Sequence, residues 1–198
     1  LPLAQEQIRF AGHAIEVRLC AEAVRAGFTP RSGTMRRWEV PRDGAHAGLR
    51  VEHGLRSGAT IAPFYDSMIA KLIAHGATRD EARRRLLRGV ENTVALGVHT
   101  NQAFLVRCLS HRVFAAGGAT TAFVARHETD LMLADEKAET KAAVVGAWML
   151  YETAGHARHG ASGRSLAHAL PLGMRFALDG ADQVVSVAQV QPHIFSIL

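Results

Sequence analysis

The chain has 198 residues, 48% of them hydrophobic and 21% charged, a balance that excludes a disordered or collagen-like chain and allows a core for one domain or slightly more. Lys and Arg number 23 against 18 Asp and Glu, a formal net charge of +5 that permits binding to polyanions without requiring it. Two cysteines, Cys20 and Cys108, are too few for a disulfide framework and fit a reducing compartment, and no apolar run approaches the roughly 20 residues of a membrane-spanning helix.

The first periodic segment is residues 14–22, where Ile15, Val17, Leu19 and Ala21 alternate with mostly polar neighbours and predict a half-buried strand. Gly27, Pro30, Gly33, Pro41, Gly44 and Gly48 then separate short segments such as residues 34–40, so a small antiparallel sheet is expected. Residues 66–75 are nearly all apolar, which fits a buried strand or a buried helix; the bounding Pro63 and Gly76 favour the strand. Thr78-Arg79-Asp80-Glu81 has the capping-box pattern. Ala82, Leu86, Val90 and Val94 continue it at helical spacing, and Gly97 is expected to close the helix in a left-handed conformation. A second helix is predicted from Thr100-Asn101, with Asn101 as a polar cap and Phe104, Leu105, Cys108 and Leu109 on its buried side. The Ala- and Glu-rich stretch from Ala134 through Val144, Ala147, Trp148 and Tyr151 predicts a further helix, with a linker at residues 155–163. Residues 174–178 and 184–188 flank Asp179-Gly180 as a hairpin, before a last apolar run at residues 194–198. A lone hairpin is marginal in water, so this tail is expected to need partners. No repeat of fixed period occurs.

Three blocks carry the functional signal, in order: Gly12-His13-Ala14-Ile15-Glu16-Val17-Arg18-Leu19-Cys20-Ala21-Glu22, then Gly48-Leu49-Arg50-Val51-Glu52, then Pro63-Phe64-Tyr65-Asp66-Ser67-Met68-Ile69-Ala70-Lys71-Leu72. Together with Gly97-Val98-His99-Thr100-Asn101 and Phe104-Leu105, they resemble the biotin carboxylase family over about the first two-thirds of the chain. From Trp148 onward the chain is similar to the segment that follows the carboxylase module in the biotin-carrying subunits of acyl-CoA carboxylases. The resemblance implies an α+β fold, an antiparallel sheet packed with helices. It implies a biotin carboxylase C-terminal domain at residues 1–133, a helix and linker at 134–163, and the start of a strand-rich subunit-interaction segment at 164–198. Because the chain does not begin with Met, we expect a fragment of a longer protein.

In that family ATP and bicarbonate give carboxyphosphate, and the ureido nitrogen of biotin attacks the carbon dioxide it releases. The parent is thus expected to be an ATP-dependent ligase that uses biotin, ATP and Mg2+. Its expected partners are a missing ATP-grasp lobe, a biotin carrier domain and a carboxyltransferase subunit, with a homo-oligomer compatible and a cytoplasmic location. Within the chain, the resemblance assigns Arg50 to the negative charge on the ureido oxygen, a role suited to a guanidinium that stays protonated and presents a planar fork of donors. One departure is Ala21-Glu22-Ala23-Val24, where the family has Asp-Pro after the Glu; this is expected to alter loop shape only.

Structural explanations compete at each of these residues. Arg50 could be a sheet-surface Arg paired with Glu52 two positions along. Asp66 and Ser67 read as a strand-entry turn, and Lys71 as the one polar side chain on a buried strand, so Tyr65, Asp66 and Lys71 are not taken as catalytic. Arg83, Arg84, Arg85 and Arg88 form a basic cluster read as a solvated helix face, with no interleaved aromatics to stack bases. His156 and His159 lack a third ligand nearby, so no metal is expected. The sequence holds no Gly-rich phosphate loop, no acidic cluster suited to Mg2+ and no biotin-accepting Ala-Met-Lys-Met block, so the fragment alone is expected to be inactive. The rival functions are a non-catalytic subunit-interaction module and a basic nucleic-acid-binding domain.

Overall fold

In a computed structural model, residues 4–41, 47–133, 136–159, 171–178, 181–191 and 194–197 are described. The chain divides into two compact units, residues 1–133 and 134–198. The first opens with β1 (His13–Cys20), a short β2 (Glu22–Ala23) paired with β3 (Thr29–Pro30), then β4 (Gly33–Thr34) and β5 (Arg37–Glu39). β6 (Leu49–His53), β7 (Thr60–Ile61), β8 (Met68–Gly76), α1 (Arg79–Glu91), β9 (Val94–Leu96) and α2 (Gln102–Ser110) follow. Three short helices close the unit: α3 (Arg112–Ala115), α4 (Phe123–Arg126) and α5 (Glu128–Met132).

The main sheet has the antiparallel order β1-β8-β6. Its nine-residue centre, β8, is the apolar run whose type the sequence left between strand and helix, and it adopts the strand. The period of two sends Val17, Leu19, Ala70, Leu72, Ala74, Leu49 and Val51 to one face, where α1 and α2 pack. Leu19, Leu72, Ala74 and Leu86 are fully enclosed there. A second cluster of Phe104, Phe123 and Leu131 lies among α2, α4 and α5. The fold is thus α+β with an antiparallel sheet, as expected.

Three local expectations need correction. The first concerns α1, which begins as predicted. The Thr78 hydroxyl accepts from the Glu81 amide at 3.2 Å and the Glu81 carboxylate accepts from the Ala77 amide at 2.7 Å. It ends at Glu91, however, and Val94 lies in β9, paired with β5. The Gln102 side chain donates to the carbonyls of Val90 and Thr93 at 2.6 and 2.7 Å, and the Thr93 hydroxyl donates to Gly89 at 2.8 Å. These bonds satisfy the helix end six residues before Gly97. Gly97 instead follows β9 with φ +110°, where an added Cβ would collide with the Thr34 carbonyl oxygen. The second concerns Asn101, which precedes α2 without a side-chain cap bond; its side chain is used elsewhere, as described below. The third concerns residues 155–159, which the sequence assigns to a linker and which continue a long helix.

That helix, α6 (Glu136–His159), belongs to the second unit with β10 (Leu172–Leu178), β11 (Ala181–Gln191) and β12 (Ile194–Ile197). The hairpin of β10 and β11 forms in register from Leu172↔Val187 to Leu178↔Ala181, and β12 adds a third antiparallel strand. Its predicted turn at Asp179-Gly180 and residues 160–163 of the predicted linker lie outside the described residues. α6 packs on all three strands, with the rings of Trp148 and Tyr151 6.4 and 5.7 Å from Phe195.

Candidate active-site face

Helices cover one face of the main sheet, and the pleat sends the alternate side chains to the other, open face. Strand register sets two cross-strand rows there: Glu16, Ile73 and Arg50, then Arg18, Lys71 and Glu52. An open groove of about 470 Å3 runs along it, lined by Glu16, Arg50, Glu52, Met68, Lys71 and Ile73. Three cations and two carboxylates therefore share one rigid surface.

Arg50 stands on this face with its side chain 72% exposed and its Nε 2.9 Å from a Glu52 carboxylate oxygen. The pairing with Glu52 weighed from the sequence is thus present, and it occurs on an accessible groove wall. Arg18 has a looser partner, with Nε 3.6 Å from Glu16, beyond hydrogen-bond distance. Lys71 makes no ion pair among the described residues and stands directly opposite Arg18. Like charges placed opposite each other across a sheet are destabilising. Lys71 also faces Glu52 on its other side, so the row runs cation, cation and carboxylate.

Asn101 holds this end of β1 in place. Its Oδ1 accepts from the Cys20 amide at 2.9 Å, its Nδ2 donates to the Arg18 carbonyl at 3.2 Å, and its own amide donates to the Cys20 carbonyl at 3.1 Å. β1 is an edge strand, and Asn101 occupies the bonding groups that a neighbouring strand would take. Burial, reinforced by the Glu22 carboxylate, pushes the Cys20 thiol up, which makes it a poor nucleophile.

The residues set aside as structural behave in different ways. The Asp66 carboxylate accepts from the Met68 amide at 2.7 Å and Ser67 donates to Glu22 at 2.5 Å, the expected strand-entry turn. The rings of Phe64 and Tyr65 are almost fully exposed. Lys71 is a member of the open face, which the sequence reading missed; period two marks Glu16 and Arg18 as outward, but the placement of Lys71 opposite Arg18 requires the register between distant strands. The basic cluster is only partly a solvated face. Arg84 and Arg88 are exposed, while Arg83 is 15% exposed and spans from Asp80 to the Leu109 carbonyl. The Arg83 guanidinium bonded to Asp80 holds that carboxyl below the usual carboxylate range. The side chains of His156 and His159 lie outside the described residues.

Comparison with known proteins agrees with this architecture. The model of the biotin carboxylase C-terminal domain family matches residues 16–126. The chain is 43% identical over 127 residues to a biotin carboxylase of Halalkalibacterium halodurans, covering 64% of this chain and 27% of that protein. It is 40% identical over 136 residues to the mitochondrial methylcrotonoyl-CoA carboxylase subunit alpha of Arabidopsis thaliana, covering 69% and 18%. Among solved structures, it is similar to the biotin carboxylase domain dimer of Hydrogenobacter thermophilus 2-oxoglutarate carboxylase in complex with MgADP, ADP and bicarbonate. That likeness has a TM-score of 0.63 and 36% identity, covering 68% of this chain and 29% of that one. The chain thus spans less than a third of the length of these relatives.

Proposed function

The chain belongs to the biotin carboxylase C-terminal domain family, and on that premise we propose that it is the carboxyl-terminal part of a biotin carboxylase module in the biotin-carrying subunit of an acyl-CoA carboxylase. In the whole enzyme an ATP-grasp lobe converts ATP, with Mg2+, and bicarbonate to carboxyphosphate. The open sheet face meets biotin delivered by a carrier domain, and a carboxyltransferase subunit passes the carboxyl group to the acyl-CoA in the cytoplasm. This chain by itself neither cleaves ATP nor carries biotin.

The observation that carries the reading is the groove-lined face with three cations against two carboxylates, fixed by paired strands whose opposite side is a closed core. A deprotonated ureido group places its charge on oxygen, and a guanidinium already held in position stabilises it without reorganising. By the family motif this guanidinium is Arg50. A second reading assigns it to Arg18, because Arg50 is held at hydrogen-bond distance by Glu52 while Arg18 lies beyond that distance from Glu16.

Arg50→Ala and Arg18→Ala, each made in the full-length parent, separate the two. Loss of one well-aimed donor is worth roughly 3 kcal/mol, or about a hundredfold in rate. The residue at the ureido oxygen is the one whose removal slows biotin carboxylation by that amount while bicarbonate-dependent ATP cleavage persists. If both variants lose the two activities equally, or lose neither, the face does not act on biotin.

A further inference from the structure

A second group of ligating side chains lies away from the sheet face, among α2, α3, α4 and α5. His111 follows α2 and caps α3, His127 stands at the junction of α4 and α5, and Asp130 lies in the first turn of α5. The three-residue spacing puts His127 and Asp130 on one side of a helical turn, and the fold brings His111 to meet them. One ligand atom of each lies within 4.8 Å of the others. His111 Nε2 is 3.8 Å from Asp130 Oδ2, and the two imidazole centroids are 4.4 Å apart. The His111 side chain is 11% exposed and Asp130 64%, with Phe123 edge-on to His111 at 5.2 Å. The group thus has one member fixed by packing and one open to solvent and free to turn.

The geometry points to a divalent transition-metal site, with His111, His127 and Asp130 as protein ligands and water on the exposed side. Two imidazoles and a carboxylate suit Zn2+ or Co2+; Mg2+ and Ca2+ prefer sets made of oxygen. Tetrahedral bonds of about 2.1 Å place ligand atoms roughly 3.4 Å apart, so the group closes by about an ångström on binding. Rotation of the exposed Asp130 supplies much of that movement. One contact opposes it: His111 Nδ1 accepts from the Val113 amide at 3.2 Å, which keeps the proton on Nε2. Coordination through Nε2 moves that proton to Nδ1 by exchange through solvent, with no net proton released, and so breaks the cap of α3. The lost cap lowers affinity by about tenfold, and it makes the Val113 amide a reporter that responds only if His111 is a ligand.

Zn2+ alone, in chelator-free buffer, is titrated calorimetrically into the full chain and into its His127→Gln and Asp130→Asn variants. Visible absorption after Co2+ substitution reports the coordination geometry. One equivalent bound by the unmodified chain is expected, with each variant at least tenfold weaker. On zinc addition the amide resonance of Val113 should shift together with those of His127 and Asp130. Absence of binding by the unmodified chain, or equal affinity in all three proteins, overturns the site. Should circular dichroism show that the variants unfold, the unmodified chain's resonances decide, and shifts that avoid Val113, His127 and Asp130 reject it.

Discussion

Asn101 is one of two buried polar residues, with Thr93, among the described residues, and its contacts explain why polarity is retained there. Both ends of its amide bond the backbone of β1, at Cys20 and Arg18. Asn101→Ala deletes both bonds and leaves a part-buried Cys20 amide without its partner, a loss of roughly 1 kcal/mol or somewhat more. Urea denaturation should show the midpoint falling accordingly, and a change under about 0.5 kcal/mol would mean that water replaces the side chain without penalty. A second residue acts through protonation. Burial pushes the Cys108 thiol up to about 11 from an ordinary 9.0, so the folded chain holds this proton more tightly than the unfolded chain. Its contribution to stability is complete below pH 9 and is lost as pH rises through about 11. Cys108→Ala keeps a small apolar side chain and should flatten the alkaline fall of the stability curve above pH 9. An alkaline fall identical to that of the unmodified chain would place its cause at other groups. At neutral pH the same shift leaves Cys108 slow to alkylate.

At the scale of elements, α1 shows how helix propensity and packing can oppose each other. Gly89 lies within it, where Ala is favoured by roughly 1 kcal/mol. An added Cβ, however, would meet the Leu49 methyls at 2.7 and 2.9 Å, and Leu49 is buried against the same core. Overpacking of a closed core costs roughly 1–3 kcal/mol, so packing wins. Gly89→Ala should therefore lower the melting temperature by several degrees, where a solvent-exposed helix glycine would give a rise. The strain falls on Leu49, the neighbour of Arg50, and so reaches the open face. This helix also marks what could be read in the sequence. Its start was legible because a capping box is written in four adjacent residues. Its end was not, because the carbonyls there are satisfied by Gln102, which arrives from the next helix. The strands were legible from their period of two, which also pointed Glu16 and Arg18 outward. Register, which sets Lys71 against Arg18, depends on pairing between segments some fifty residues apart. Residue type and position make Asn101 a cap in the sequence, yet a long-range bond to an edge strand competes for the same side chain and wins. His111, His127 and Asp130 match no spacing motif, and only the packing of four short helices brings them together.

For the molecule as a whole, stability is distributed unevenly. Nearly all enclosed apolar side chains among the described residues belong to residues 1–133, and only Ala147 and Val187 belong to the second unit. Apolar surface removed from water contributes roughly 25 cal/mol per Å2 against an ordering cost of roughly 1.5 kcal/mol per residue. The described part of the second unit, with few enclosed side chains, has little with which to offset its own ordering. Within residues 134–198, α6 also leaves Val145, Met149 and Leu150 substantially exposed, and β11 leaves Val184 and Val190 so. Val145 and Met149 are four residues apart and share one side of the helix. Residues 1–133 produced alone should retain a single cooperative urea transition. Residues 134–198 produced alone should unfold gradually and self-associate as concentration rises, because a three-stranded sheet under one helix leaves apolar area that a second molecule can cover. Sedimentation at several concentrations with parallel denaturation checks both halves. A sharp transition from a monomeric 134–198 would mean that Ala147, Val187 and the aromatic contacts of Trp148 and Tyr151 with Phe195 form a sufficient core, and that this segment folds independently of the carboxylase domain before it.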